Sequence, residues 1–338
     1  MKFQIGWTQN KKFKAHHVIK ELSHRKEKID SIYFAPSSPL IPSARNSGYN
    51  RQAEINLYND LNEFSEEGFN LNILFNGLCY GGEIHSENTF SLILDTIGFY
   101  RERFNITDAT FIDCNHAIAC RKNFPSIRRN ASINMFIRDL SSYNSASKVF
   151  NVINIDRMVN YNIEFLKKCK EDNPGTELKL LVNEACINGC LLRALHFAHL
   201  SHSNGKFNGN CYKRYKNNSI CELLSSQMVM PQYLKFYEGF VDTIKISRRD
   251  RILSEAPEDY INVIKAYMDG NLNIPVIDLA CCGGLYQYIE QEIKSESPLM
   301  KIKCKDIPEE HFFKKTKCIQ NCYDCNYCFT LGTSLLRK

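Results

Sequence analysis

Short apolar runs recur along the chain, separated by stretches long enough to hold a helix. Strands are predicted over Phe3–Trp7, Ser31–Ala35, Leu71–Phe75, Ala109–Asp113, Ile133–Ile137, Val152–Ile155, Leu178–Asn183 and Thr243–Ser247. Each is short and mostly apolar, as expected of parallel strands covered on both faces. Helical patterns fall at His16–Leu22, Glu54–Glu67, Thr89–Phe104, Tyr161–Lys170 and Pro257–Met268, the last opening on a proline, which suits a first helical turn. Eight strands joined by helices are the number that closes a parallel barrel. The expected fold is therefore α/β, a TIM-like (β/α)8 barrel over residues 1–280, with a cysteine-rich C-terminal extension over 281–338. An open sheet followed by a small cysteine domain is the competing arrangement. A segment rich in Asn, Ser, Gly and Lys at about 201–227 interrupts the rhythm and is too long for an ordinary connection, so it is expected to lie over an active site.

Composition narrows the class. With 338 residues and 43% hydrophobic content the chain can bury a core of barrel size. No run approaches the roughly 18 apolar residues that a membrane-spanning helix needs, and Met1–Gly6 passes into strand-like sequence without a signal-peptide core. No membrane span and a cytoplasmic location are expected. The net charge of +6 is spread along the chain, a weak footprint for a dedicated nucleic-acid binder, although an RNA substrate stays open. Fifteen cysteines change the picture most, because a reducing compartment makes close thiols metal ligands more often than disulfides.

Two cysteine groups stand out. After the seventh predicted strand comes Glu184-Ala185-Cys186-Ile187-Asn188-Gly189-Cys190, at the end of the strand where such barrels do their chemistry. Cys211 and Cys221 follow in the insertion, completing the four thiolates a [4Fe-4S] cluster takes. Plainer alternatives are buried core cysteines or a zinc site, though zinc sites usually bring paired C-x2-C knuckles. Arg193, His196 and His199 then recur at steps of three along one side of a helix, where His199 and His202 fit an ordinary solvated face.

The run Asn183-x2-Cys186-x3-Cys190-x2-Arg193-x2-His196 resembles the signature of the peptidase U32 family, the collagenase-like proteins. Met230-Pro231-Gln232-Tyr233 through Gly239, leading to Asp242-Thr243-Ile244-Lys245-Ile246-Ser247-Arg248, is similar to that family's proline-led helix and following strand. The specific likeness covers about 178–248. It implies a barrel holding a [4Fe-4S] cluster through four cysteines, with members that hydroxylate ubiquinone precursors or RNA without dioxygen. By motif position Cys186 and Cys190 carry over as ligands, Cys211 and Cys221 by order and proximity, and Arg193, His196, Lys245 and Arg248 as site residues. Larger members carry further C-terminal domains, a difference that leaves peptide, RNA and small-molecule substrates all open.

The second group is Cys318-x3-Cys322-x2-Cys325-x2-Cys328, the strongest local metal signal in the chain, compatible with a second [4Fe-4S] cluster or with zinc. Cys281-Cys282 is read as structural, since adjacent side chains point apart. Cys79, Cys114, Cys120, Cys169 and Cys304 are read as unliganded, with Cys79 and Cys114 placed to substitute for Cys211 or Cys221.

The leading functional expectation is an iron-sulfur redox enzyme in which Arg193 and Arg248 hold an anion and His196 or Glu184 moves protons. The alternatives are a U32-type peptidase or hydrolase, for which no H-E-x2-H or G-x-S-x-G appears, and an electron-transfer partner subunit. An electron-donor protein would be a partner of the redox enzyme. A radical S-adenosylmethionine enzyme is disfavoured because Arg193 stands where a third cysteine would.

Overall fold

The structure is a computed structural model that describes residues 1–7, 13–43, 50–202, 211–247, 257–282, 285, 288–289, 298–318 and 322–337, without the side chains of 257, 258, 322 and 323. Eight parallel strands close a barrel in chain order: β1 Lys2–Gly6, β2 Ile29–Phe34, β3 Leu71–Phe75, β4 Asp108–Phe111, β5 Arg128–Ala131, β6 Val152–Ile155, β7 Glu177–Leu181 and β8 Thr243–Ile246. β8 returns to β1, where Lys2 pairs with Thr243 and Ile5 with Ile246. The expected barrel is the observed one.

The helices outside it are α1 Ala15–Leu22, α2 Arg51–Glu66, α3 Glu87–Phe104, α4 Cys114–Asn123, α5 Leu140–Ser147, α6 Ile163–Asp172, α7 Arg193–His202, α8 Cys211–Ser225 and α9 Pro257–Asp269. Many starts are fixed by a short polar side chain that accepts otherwise unpaired amides: Asn50 caps α2, Ser86 α3, Asp113 α4, Asp139 α5 and Asn162 α6. The sequence rhythm did not show α4, α5 or α8, whereas α7 is the helix expected from the steps of three after Cys190. Within the 201–227 insertion, α8 spans most of the second half, and 203–210 lie outside the described residues.

The strands are not uniformly apolar, because alternate positions are polar and meet one another inside the barrel. Gln4 Nε2 donates to Ser31 Oγ at 2.9 Å, Thr110 Oγ1 to Asn72 Oδ1 at 2.8 Å, and Lys179 Nζ to Asn130 Oδ1 at 3.2 Å. The other set, including Ile5, Ile32, Ile73, Phe111, Ile153, Leu180 and Ile244, is buried against the helices in the main core.

This pattern explains the misplaced fifth strand. The sequence reading put it at Ile133–Ile137, but the strand is the polar Arg128-Arg129-Asn130-Ala131, and Ile133–Met135 is a 3-10 turn beyond its end. Arg128 closes the lower end of the barrel, bonding Asp30 at 2.6 Å, Asp108 at 2.5 Å and Glu177 at 2.8 Å, while Lys179 reaches Asp30 at 2.9 Å. A hydrophobicity pattern cannot find a strand whose inward side chains are ionic.

After α9 the chain runs through a short helix, Val276–Leu279, and returns to the upper end of the barrel. Helix Glu310–Thr316 then packs Phe312 between Tyr161 and Phe236, and the terminal helix Tyr327–Leu336 lies against α8. Among the described residues, no helix is long and apolar enough to cross a membrane.

Candidate functional site

The site grows from the end of β7. Asn183 fixes the exit of this strand, its amide nitrogen donating to the Ser247 carbonyl at 2.8 Å and the Leu279 carbonyl at 3.2 Å, while its Oδ1 accepts from the Ser247 N–H at 2.7 Å. A much later segment is thereby laid alongside. The Cys281 N–H donates to the Asn183 carbonyl at 2.7 Å, and the Ala185 N–H to the Cys281 carbonyl at 3.2 Å. The boundary proposed at residue 280 falls inside this ladder.

Pairing of this kind sends successive side chains to opposite sides. Cys281 Sγ turns to Ser247 Oγ at 3.5 Å, and the fully buried Cys282 hydrogen-bonds with Cys186. Cys211, the first residue of α8, lies within electrostatic reach of Cys186, Cys190 and Cys282. The turn between Cys186 and Cys190 passes through Gly189 at φ +65°, a conformation that side-chain-bearing residues rarely adopt. The bond with Cys186 and then burial hold the Cys282 thiol well above its ordinary range, and burial raises that of Cys211. Crowded buried thiols resist ionisation unless a cation joins them.

Two thiols lie elsewhere than the grouping expected from sequence would put them. Cys282, read as structural, stands with Cys186. Cys221, assigned to this group, lines a cavity with Cys318, Cys325 and Cys328 and with Asn188 of the Cys186–Cys190 turn. Among the described residues, no three His, Cys, Asp or Glu side chains are arranged to hold a metal ion. The described cysteines are thiols rather than disulfides.

Beside the thiols is a buried ionic array that joins β6, β7 and α7. Arg157 Nε lies 3.1 Å from Glu184 Oε1, and its Nη1 donates to the Cys186 carbonyl at 3.3 Å. Arg193 Nη1 donates to Asp156 Oδ1 at 2.9 Å, its Nε lies 3.8 Å from the same Glu184 oxygen, and Asp156 Oδ2 takes a further bond from Arg138 at 2.7 Å. Burial opposes the charge of Arg157, but Glu184, Cys186 and Asp156 together raise its pKa above the ordinary value. The Nη2 atoms of Arg157 and Arg193 have no hydrogen-bond partner among the described residues. Each is a buried donor suited to an anion or a carbonyl.

Glu184, Lys245, Ser247, Tyr33, Asn76 and Phe197 line a cavity of about 50 Å³ at the upper end of the barrel. Lys245 Nζ sits 4.1 Å from the centre of the Tyr33 ring, a favourable place for an ammonium. His196 is half-buried on α7 with its ring stacked on Phe197 at 5.6 Å, and it is Phe197 that faces the cavity. Arg248 lies outside the described residues.

Comparison with known proteins agrees with this architecture. The solved structure of the U32 peptidase Mk0906 superposes over 74% of this chain and 93% of its own length, with a TM-score of 0.53 and 14% identity. The chain shares the barrel fold of that structure. The uncharacterized protease MJ1657 of Methanocaldococcus jannaschii is 34% identical over 134 residues, which is 36% of this chain and 38% of that relative. The aligned part is therefore well under half of either protein. No protein-family model matches the chain.

Of the residues gathered at this end of the barrel, the sequence singles out Glu184, Cys186, Cys190, Arg193, Cys211 and Lys245, but not Asp156, Arg157 or Cys282. Asp156 and Arg157 carried a usable signal, since they directly follow β6 at the end where these barrels place their chemistry. Cys282 carried none, because its position depends on a backbone ladder formed by distant segments.

Proposed function

We propose that the chain is a U32-type enzyme that acts on a peptide or peptide-like substrate at the upper end of the barrel. The observation that carries this reading is the shared cavity of Glu184 and Lys245, with Arg157 and Arg193 at 3.1 and 3.8 Å from the Glu184 carboxylate. A carboxylate and an ammonium on one cavity can divide the work of hydrolysis. Glu184 would take a proton from the attacking water, and Lys245 would stabilise the negative charge that develops on the carbonyl oxygen. Arg157 and Arg193 would hold the Glu184 carboxylate in position for this step. The names of the two relatives, a protease and a peptidase, support the same class.

A second reading rests on the thiols. The donor set of Cys186, Cys190, Cys211 and Cys282 fits the [4Fe-4S] cluster that the family resemblance implies, in number and in softness. A bound cluster would supply electron transfer or a Lewis-acid iron, as oxygen-independent hydroxylation requires. Arg157 and Arg193 would then face a negatively charged centre, and Glu184 would move protons beside it. An electron-donor protein belongs to this reading alone.

One preparation separates the two. Protein purified without oxygen is assayed for peptide cleavage, iron and acid-labile sulfide, together with Glu184→Gln and Lys245→Met variants. Cleavage that survives metal removal and falls at least 100-fold in both variants supports the peptidase. No cleavage, with iron and sulfide that disappear in Cys282→Ser, replaces it with the redox enzyme.

A further inference from the structure

The cysteines of the C-terminal extension do not stand alone. Cys318, Cys325 and Cys328 line one cavity of about 70 Å³ with Cys221, which α8 contributes from about a hundred residues earlier in the chain. Three features build this pocket. Asn326, in the left-handed region at φ 47°, ends the short helix Cys322–Cys325 and starts the terminal helix, so Cys325 and Cys328 lie on either side of a tight corner. The terminal helix approaches α8 closely, since a Cβ at Gly332 would come within 2.9 Å of Ile220, the neighbour of Cys221. Lys315 is buried at the cavity wall, where its ammonium donates to the carbonyls of Ser225 at 2.7 Å and Ser226 at 2.9 Å.

We propose that Cys221, Cys318, Cys325 and Cys328 bind a second thiophilic metal centre that fastens the C-terminal helices to α8, in a cavity that Asn188 of the Cys186–Cys190 turn also lines. Thiolates bind soft metals, and four of them complete the coordination of zinc or of a [4Fe-4S] cluster. Either centre carries net negative charge, and the buried Lys315 ammonium offsets it. The cavity draws thiols from two distant parts of the sequence, and because no three of these described residues are gathered to hold an ion as they stand, the centre would draw them together as it bound. The proposal does not depend on what reaction the barrel performs.

The test is metal and sulfide analysis of full-length protein prepared without oxygen, in a Cys282→Ser background that removes any contribution from the barrel thiols. This protein should retain about one zinc, or about four irons with sulfide, per chain. Adding Cys221→Ser or Cys328→Ser should abolish that metal, while adding Cys79→Ser should not. In unaltered protein, alkylation followed by mass mapping should label Cys221 and Cys328 at least tenfold faster once metal has been stripped. Zinc and iron-sulfide outcomes both support the centre and tell which it is. Undiminished metal in the Cys221→Ser protein, or alkylation of Cys221 that is unchanged by stripping, overturns it.

Discussion

Cys282 hydrogen-bonds with Cys186 because the backbone at Cys281 extends the pairing of β7 past the end of the barrel. The contact joins the loop after the seventh strand to a segment that follows the last barrel helix. It brings a thiol that looks structural in sequence to the end of the strands where parallel barrels of this kind place their chemistry. Adjacent cysteines do point apart, as expected, and for that reason one of this pair is enough.

If these thiols hold a cluster, Cys282→Ser should behave like Cys186→Ser and lose most of the iron and sulfide attributable to the barrel site. Cys221→Ser should leave that share intact. Iron and sulfide measured per chain on anaerobic protein decide the matter. A cluster that is lost with Cys221 and kept without Cys282 would restore the grouping expected from sequence.

The lower end of the barrel makes a separate prediction about stability. Arg128→Met strands Asp30, Asp108 and Glu177 without their shared guanidinium, and breaking buried pairs of this kind costs about 3–5 kcal/mol. Urea unfolding should show a lower midpoint with an unchanged slope. Burial opposes ionisation of Asp30, but Lys179 and Arg128 outweigh it and hold its carboxyl well below the usual range. That stabilisation is present above the unfolded carboxylate pKa of about 3.9 and is lost as pH falls through the folded value. The acid side of the stability curve should therefore be flatter in Arg128→Met than in the wild type.

These examples show what a sequence displays and what it hides. Most barrel strands could be placed from apolar spacing, because every strand presents one face to the helices. Strand β5 could not, since Arg128 and Asn130 carry ionic and polar groups inward and its outward face is only Arg129 and Ala131. The motif from Asn183 to Arg193 is local, and the structure gathers Glu184, Cys186 and Arg193 near one another. Cys221 and Cys282 are assigned by long-range packing, α8 against the terminal helix and Cys281 against Asn183, which no local spacing records.

Gly189→Ala should cost about 1 kcal/mol or slightly more, although nothing lies within 4 Å of the added methyl group. The penalty comes from φ +65° alone. Because the strain falls between Cys186 and Cys190, it should also loosen the thiol group more than global unfolding suggests. Alkylation of Cys190 in the native protein should therefore accelerate by more than the change in unfolding constant. Equal changes would place the effect in overall stability only.

Asp278 offers a pH test with the opposite sign to Asp30. Burial and then the charge of Asp259 push its carboxyl up to about 6, so the folded chain holds this proton more tightly than the unfolded one. Between about pH 4 and 6, where the unfolded carboxyl has ionised and the folded one has not, each step upward in pH lowers stability. Above pH 6 the full penalty remains. Asp278→Asn imitates the protonated form and should raise stability at pH 8 by about 1–3 kcal/mol, the range that a shift of about two pKa units allows for a group that keeps some solvent contact. At pH 4 most of the gain should be gone, because the folded Asp278 is then protonated and the unfolded carboxyl about half so. Urea unfolding of both proteins at the two pH values gives the answer, and an equal gain at pH 4 and pH 8 would show that the charge of Asp278 is not its cause.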